Sequence, residues 1–197
     1  MNGFVVSAKC QVDHNVFDIG MLYLYLRDME QLPIIGKKLV IRTMLQEDAK
    51  ALFDFRSNER VNQYIERQSY VRMEEAEEFL TALPARMEKG ECIILGIYVD
   101  ENTRLVGSVC LFNFNEDHSI GELGYELHPT YQGKGIMVEA LELFLAWIKK
   151  QSIVQKLTAC IHEENEASSK LIQKLGFLPD SGVTKVPKDF KGWSKTL

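Results

Sequence analysis

Residues 121–141 read GELGYELHPTYQGKGIMVEAL, a strand-like run that passes through a proline turn into a glycine-rich loop and then a helix. Gly133 and Gly135 lack the Cβ that would hold a ligand away from the backbone, so their amides can face outward. Beyond them, Leu141, Phe144, Leu145 and Ile148 recur at helical spacing and mark Val138 to Lys150 as an amphipathic helix. The loop therefore sits at a helix N-terminus. The first N–H groups of a helix have no partner inside it and carry the positive end of its dipole, which makes a phosphate or pyrophosphate the natural guest. Lys134 adds a charge beside them. The plainer alternative is a glycine-rich turn that merely starts a helix, and two glycines alone do not separate the two readings.

Other phosphate motifs do not fit the stretch. The chain has no G-x-x-x-x-G-K-[ST], and no G-x-G-x-x-G followed about 20 residues later by an acid that would meet a ribose. A P-loop and a dinucleotide-binding fold are thereby disfavoured.

Outward from the loop, helix and strand patterns alternate without internal repeats or low-complexity segments. Lys37 to Arg42 reads as a first strand. A helix begins at Gln46-Glu47-Asp48, with Ala49, Leu52, Phe53 and Arg56 on one face, and a short second helix lies near Asn58 to Ile65. Met73 to Glu88 is helical, with four glutamates in its opening turns where the dipole favours acids. Pro84 marks a kink. Cys92 to Val99 and Arg104 to Phe114 form a hairpin around Asp100-Glu101-Asn102-Thr103, and Ser119 to Leu127 continues the meander. Leu157 to Ile161 is a strand, Ala167 to Leu175 a helix, and Gly182 to Val186 and Gly192 to Thr196 weak strands. The class is mixed α/β.

One domain is the default for 197 residues of which 46% are hydrophobic. Residues 36–197 carry the pattern just described, whereas residues 1–35 stand outside it as an extension. Phe4 to Val12 and Val16 to Leu26, joined at Asp13-His14-Asn15, read as a β-hairpin. Its expected role is to cover a sheet edge of its own domain, or else to reach a second subunit in a homodimer. The net charge of −5 and the absence of a Lys/Arg run interleaved with aromatics give no footprint for nucleic acid. Cys10, Cys92, Cys110 and Cys160 are scattered without C-x-x-C or zinc spacing and read as reduced, mostly buried hydrophobes. The longest apolar stretch, Gly20 to Leu26, falls far short of the roughly 18 residues that span a bilayer, and no signal peptide is evident. A cytoplasmic protein with no membrane contact is expected.

Gln132-Gly133-Lys134-Gly135-Ile136-Met137, preceded by a strand and Pro129-x-Tyr131, resembles the Q/R-x-x-G-x-G/A motif of the GNAT superfamily of acyl-CoA-dependent N-acetyltransferases. Met137 stands where Gly or Ala is usual. Downstream, Asn165-Glu166-Ala167-Ser168 with Leu175-Gly176-Phe177 is similar to the N-x-A-S and L-G-F of the ribosomal-protein N-acetyltransferase-like branch. Two ordered motifs are far more specific than either alone. The resemblance covers roughly residues 36–180 and implies a central, twisted, mostly antiparallel sheet of about six or seven strands flanked by helices. It further implies acetyl-CoA as co-substrate and an amine as acceptor. The backbone of Leu127, together with Gln132 and the amides of Gly133, Lys134, Gly135, Ile136 and Met137, would receive the pantetheine and pyrophosphate. Asn165 would bond the pantetheine arm, and Ser168 would lie close to the sulfur.

An acyl thioester is already activated, so the protein must hold it beside the amine, deprotonate the ammonium and stabilise the oxyanion. Strand alternation puts Glu122, Gly124 and Glu126 on one face, with Leu123, Tyr125 and Leu127 on the other. By the resemblance Glu122 falls at the general-base position, and Glu126 ranks second. The plainer reading is that both line a solvated sheet face. Asn165 and Ser168 also suit local roles, as an N-cap and a first-turn residue. Some relatives place a tyrosine seven residues after the asparagine to protonate the thiolate. Here that position is Ile172, which leaves Ser168, Tyr125 or water. His118, His128 and His162 read as surface residues, and no metal is expected. The acceptor pocket is expected from Arg56, Asn58, Arg60 and Tyr64 with the C-terminal strands. The alternatives to an enzyme are a catalytically weak acyl-CoA-binding module and an interaction protein that works through its N-terminal hairpin.

Overall fold

The computed structural model describes residues 32–99 and 103–197. The expected N-terminal hairpin and the tip of the 100–103 turn lie outside those residues. Among the described residues eight strands form one sheet: β1 (Ile34–Ile35), β2 (Val40–Arg42), β3 (Cys92–Val99), β4 (Arg104–Phe112), β5 (Ile120–Leu127), β6 (Lys156–His162), β7 (Leu178–Pro179) and β8 (Phe190–Thr196). Their order across the sheet is β1-β2-β3-β4-β5-β6-β8-β7. Every pairing is antiparallel except β5 with β6, which a helix connects. The helices are α1 (Ala49–Arg56), α2 (Glu59–Asn62), α3 (Met73–Glu88), α4 (Ile136–Gln151) and α5 (Glu166–Lys174). The mixed α/β, mostly antiparallel arrangement is the one expected, with eight strands instead of six or seven.

β3 and β4 sit at the sheet centre and are buried on both faces, so CIILGIYV reads as a continuous apolar run without alternation. α1 and α3 cover one face of the sheet. The Arg56 guanidinium of α1 lies 4.2 Å from the Phe79 ring of α3, and reaches Glu126 on β5. α5 lies on the opposite face, where Tyr125 of β5 meets Ser168. α4 buries Ala140, Leu141, Phe144 and Ile148 completely, as its spacing predicts.

Two sequence expectations need correction at the edges. The strand expected at Gly182 to Val186 is absent, because the Asp180 carboxylate accepts the Gly182 N–H at 2.8 Å and Lys185 turns to φ 60°, which makes the segment a turn. Its place beside β8 is taken by Leu178–Pro179. A proline fits there because β7 is the outermost strand and need not donate on its free side. At the other end, the strand expected over Lys37 to Arg42 is confined to Val40–Arg42, and among the described residues the short strand Ile34–Ile35 precedes it.

Candidate active site

The site begins with a fork in the sheet. β5 and β6 pair only at Ile120↔Lys156, Gly121↔Leu157 and Glu122↔Thr158, although β5 runs on to Leu127 and β6 to His162. Beyond Glu122 the two strands part. The His128 N–H bonds Val106 O at 2.8 Å, which fixes the β4–β5 register. In an antiparallel ladder hydrogen-bonded and open pairs alternate, so the main-chain groups of Tyr125 and Leu127 turn away from β4 toward the gap. A narrow ligand laid in that gap meets strand-edge donors and acceptors. The Leu127 carbonyl already accepts the Gln132 Nε2–H at 3.0 Å, so the glutamine ties the following loop to the strand end.

The loop itself is built as its glycines suggest. Gly133 and Gly135 take φ of 72° and 78°, a left-handed conformation that a side chain resists. Nothing lies within 4 Å of where a Cβ on Gly133 would stand, so the space above the loop is open. α4 starts at Ile136, and its first main-chain bond runs from Glu139 N to Gly135 O at 3.1 Å. The amides between Gly133 and Met137 thus reach no main-chain acceptor among the described residues. The side chains of Ile136 and Met137 turn into the core, at 6% and 2% exposure. Met137 in place of a small residue therefore puts its bulk into the core and not over the loop.

The two carboxylates of β5 share a face but not an environment. Glu126 is 4% exposed. Arg56 donates to its Oε1 through Nε at 3.0 Å and Nη2 at 2.8 Å, Ser108 Oγ donates at 2.9 Å, and Arg67 Nη1 stands 2.5 Å from Oε2. Although burial opposes the charge, the two guanidinium groups outweigh it and hold the Glu126 carboxyl down at about 2. Glu126 stays ionised and has no room for a proton from a ligand.

Glu122, at the apex of the fork, is only partly buried. Asn113 Nδ2 donates to its Oε2 at 2.9 Å, and the Cys160 thiol hydrogen-bonds the same carboxylate. Burial pushes Glu122 above the usual carboxylate range, against the pull of these two donors. The thiol in turn is pushed up to about 12 by burial and by the charges of Glu122 and Glu66, so it remains a protonated donor. Asn113 sits at φ 48°, a left-handed position that asparagine tolerates, and this aims its amide across the β4–β5 pair.

On the opposite face, Asn165 and Ser168 take up the local roles open to them. Asn165 is fully buried and its Oδ1 accepts the Ser168 N–H at 3.1 Å, capping α5. Ser168, also fully buried, exchanges a 2.6 Å hydrogen bond with the Tyr125 hydroxyl. Ile172 packs in the core at 0% exposure. Lys134 lies over the Tyr131 ring, 5.4 Å from its centroid.

The expected acceptor-side residues scatter. Arg56 is buried with Glu126 instead of lining a pocket, and the Asn58 side chain caps α2 by accepting the Arg60 N–H. Tyr64 stays, and it brings partners that sequence reasoning passed over. Its ring lies 5.2 Å from His162, which lies 5.1 Å from Phe190, all on the face that bears Glu122 and Cys160. His162 also accepts the Glu164 N–H on Nδ1, the role of a turn residue. The signal for this cluster was parity: His162 and Cys160 are two apart on one strand.

The partly buried Glu122 at the fork's apex, the open strand fork and the glycine loop at the start of α4 follow one another along β5 and just beyond its end. The family model "Acetyltransferase (GNAT) domain" matches residues 38–178, and the chain belongs to that family. Among curated relatives, the uncharacterized N-acetyltransferase YoaA of Bacillus subtilis (strain 168) is 25% identical over 140 residues, 71% of this chain and 79% of that protein. The solved ribosomal-protein-S5-alanine acetyltransferase from Vibrio fischeri superposes with a TM-score of 0.73 at 20% identity, covering 84% of this chain and 97% of the other. The ribosomal L7/L12 α-N-protein acetyltransferase RimL, solved in complex with coenzyme A, also gives 0.73, at 15% identity and with the same two coverages. The chain is an N-acetyltransferase of the GNAT family. Among the described residues no helix is long and apolar enough to cross a membrane.

Proposed function

We propose that this protein transfers an acetyl group from acetyl-CoA to a primary amine, by direct attack within a ternary complex, with Glu122 as the general base. The acceptor is the N-terminus of a protein or a small amine, in keeping with the names of the relatives. The amides from Gly133 to Met137 receive the diphosphate, the Gln132 N–H being already bonded to Pro129 O at 3.2 Å, and the free edge of β5 at Tyr125 and Leu127 receives the pantetheine arm. That arm, held in the fork, brings the thioester toward Glu122.

The observation that carries this reading is the position and state of Glu122. An amine arrives as an ammonium and attacks only after losing a proton, and a carboxylate lifted by burial is a stronger base than one in water. The nitrogen lone pair then bonds the acetyl carbon, the tetrahedral intermediate gives up its second N–H proton as it collapses, and the carbon–sulfur bond breaks to release CoA, whose thiolate takes up that proton directly or through water. Glu126 has no part in the proton transfer, since two arginines keep it ionised. Ser168 is assigned to holding Tyr125 and the start of α5, because a fully buried hydroxyl bonded to its neighbour does not reach a ligand. The thiolate is a good enough leaving group to depart without a dedicated acid. Tyr64, His162 and Phe190 form the wall along which the acceptor approaches, with Glu122 and Glu66 supplying the negative charge that suits an ammonium.

Thiol release from acetyl-CoA, followed with N-terminal peptides, polyamines, amino sugars and amino acids, tests the reading. At least one amine class should support turnover. A protein that binds acetyl-CoA yet releases no thiol with any of them would leave the binding-module alternative in its place.

A further inference from the structure

The turn between β1 and β2 is fastened to the phosphate loop by contacts that span a hundred residues. Gly36 N donates to Leu39 O at 2.9 Å, which closes the turn. A Cβ on Gly36 would stand 2.6 Å from Glu139 Oε1 and 2.7 Å from Leu143 Cδ1, so a larger residue would push both side chains away from the turn. Glu139, in the first turn of α4, accepts both the Lys37 N–H at 2.5 Å and the Lys38 N–H at 3.0 Å on one oxygen. The acid thereby pins the main chain of the turn and leaves the lysine side chains to extend from it.

The Lys38 chain runs toward the loop. Its Nζ lies 3.8 Å from the position a Cβ on Gly135 would take, and it is the nearest atom to that position outside the loop. The ammonium thus stands over the glycine whose amide opens the helix, next to the empty space above Gly133. A chain of net charge −5 here gathers Lys38 with amides at a helix start that reach no main-chain acceptor among the described residues. Lysine serves such a place well, being a compact charge on a flexible stem that can follow an oxygen.

We propose that Lys38 is a ligand of the coenzyme A diphosphate, supplied from outside the Gln132–Met137 loop and positioned by Glu139. The inference rests on the reading of that loop as the diphosphate cradle. It adds a side-chain cation from the opposite end of the chain, where no local motif announces it.

The experiment measures binding of coenzyme A and of 3′-dephospho-coenzyme A to the full chain by calorimetry, together with turnover of acetyl-CoA and of S-acetylpantetheine, for wild type, Lys38→Met and Lys38→Arg. Loss of one charge-assisted contact is expected to weaken both nucleotides by about tenfold in Lys38→Met. Lys38→Arg should recover most of that loss. kcat at saturating acetyl-CoA and kcat/KM for S-acetylpantetheine, which has no diphosphate, should stay at the wild-type values. The thermal midpoint should stay put as well, since the side chain is exposed. Coenzyme A affinity within twofold of wild type in Lys38→Met overturns the proposal. So does a loss seen with coenzyme A but not with its 3′-dephospho form, which would move the contact to the other phosphate, and so does an equal fall with S-acetylpantetheine. If wild type itself binds no coenzyme A, the cradle reading fails first and Lys38 falls with it.

Discussion

Replacing Glu126 by glutamine keeps its shape but removes the one negative charge between Arg56 and Arg67. In the native cluster the carboxylate takes two bonds from Arg56 and one from Ser108 and pairs with Arg67, all out of water. Two routes give the size of the effect. Breaking a buried ion pair by removing one partner costs about 3–5 kcal/mol, because the remaining charge stays buried and unbalanced. The fall of the Glu126 carboxyl from 4.5 to about 2 corresponds, by linkage, to stabilisation on the order of 3 kcal/mol. For a chain of this length such a loss lowers the thermal midpoint by roughly 6–12 °C. The sign with pH follows from the depressed value. The stabilisation is complete above about pH 4.5 and drains away as the pH falls toward 2, so the gap between wild type and Glu126→Gln should be widest near neutrality and close in acid. Thermal unfolding of both proteins across that range is the assay. A difference below about 1 kcal/mol at pH 7, or a gap that stays constant down to pH 2, would refute the account of the cluster.

Two further outcomes follow from the fork. Asn113→Gly keeps the left-handed backbone but deletes a donor that favours ionised Glu122, so the acidic limb of the kcat/KM profile should move to higher pH, with the KM for acetyl-CoA unchanged; a limb that does not move would release Asn113 from any part in tuning the base. Ser168→Ala removes the bond to Tyr125 and should cost about 1 kcal/mol of stability while leaving kcat within about tenfold, whereas a fall of several hundredfold without loss of stability would return Ser168 to proton transfer.

Features that one short segment encodes could be read from the sequence. Met73 to Glu88 is a helix from end to end as expected, because its acids and spacing act within a few residues, and Glu75 caps it by accepting the Val71 and Arg72 N–H groups. The turn into α4 was legible for the same reason, since Gly133 and Gly135 stand directly before an amphipathic helical pattern, although their left-handed φ of 72° and 78° was not part of that reading. The division of labour between Glu122 and Glu126 was not legible. Alternation puts both on one face, and what separates them is Arg56, 70 residues away in sequence, together with Arg67. Arg56 was expected in the acceptor pocket because nothing in its own helix records the buried acid waiting on β5. The Tyr64–His162–Phe190 cluster and the clasp of Glu139 on Lys37 and Lys38 are likewise products of tertiary contact, beyond any local pattern. At Gly182 to Val186 the Asp180 cap overrode a weak strand preference.

The proton acceptor at the apex of the fork is the centre of the account, and acetyl-CoA turnover by Glu122→Gln measures it. With an amine that wild type acetylates, the variant should bind acetyl-CoA normally and lose roughly 10²-fold or more in kcat. Turnover equal to wild type, with the same pH profile, would contradict it.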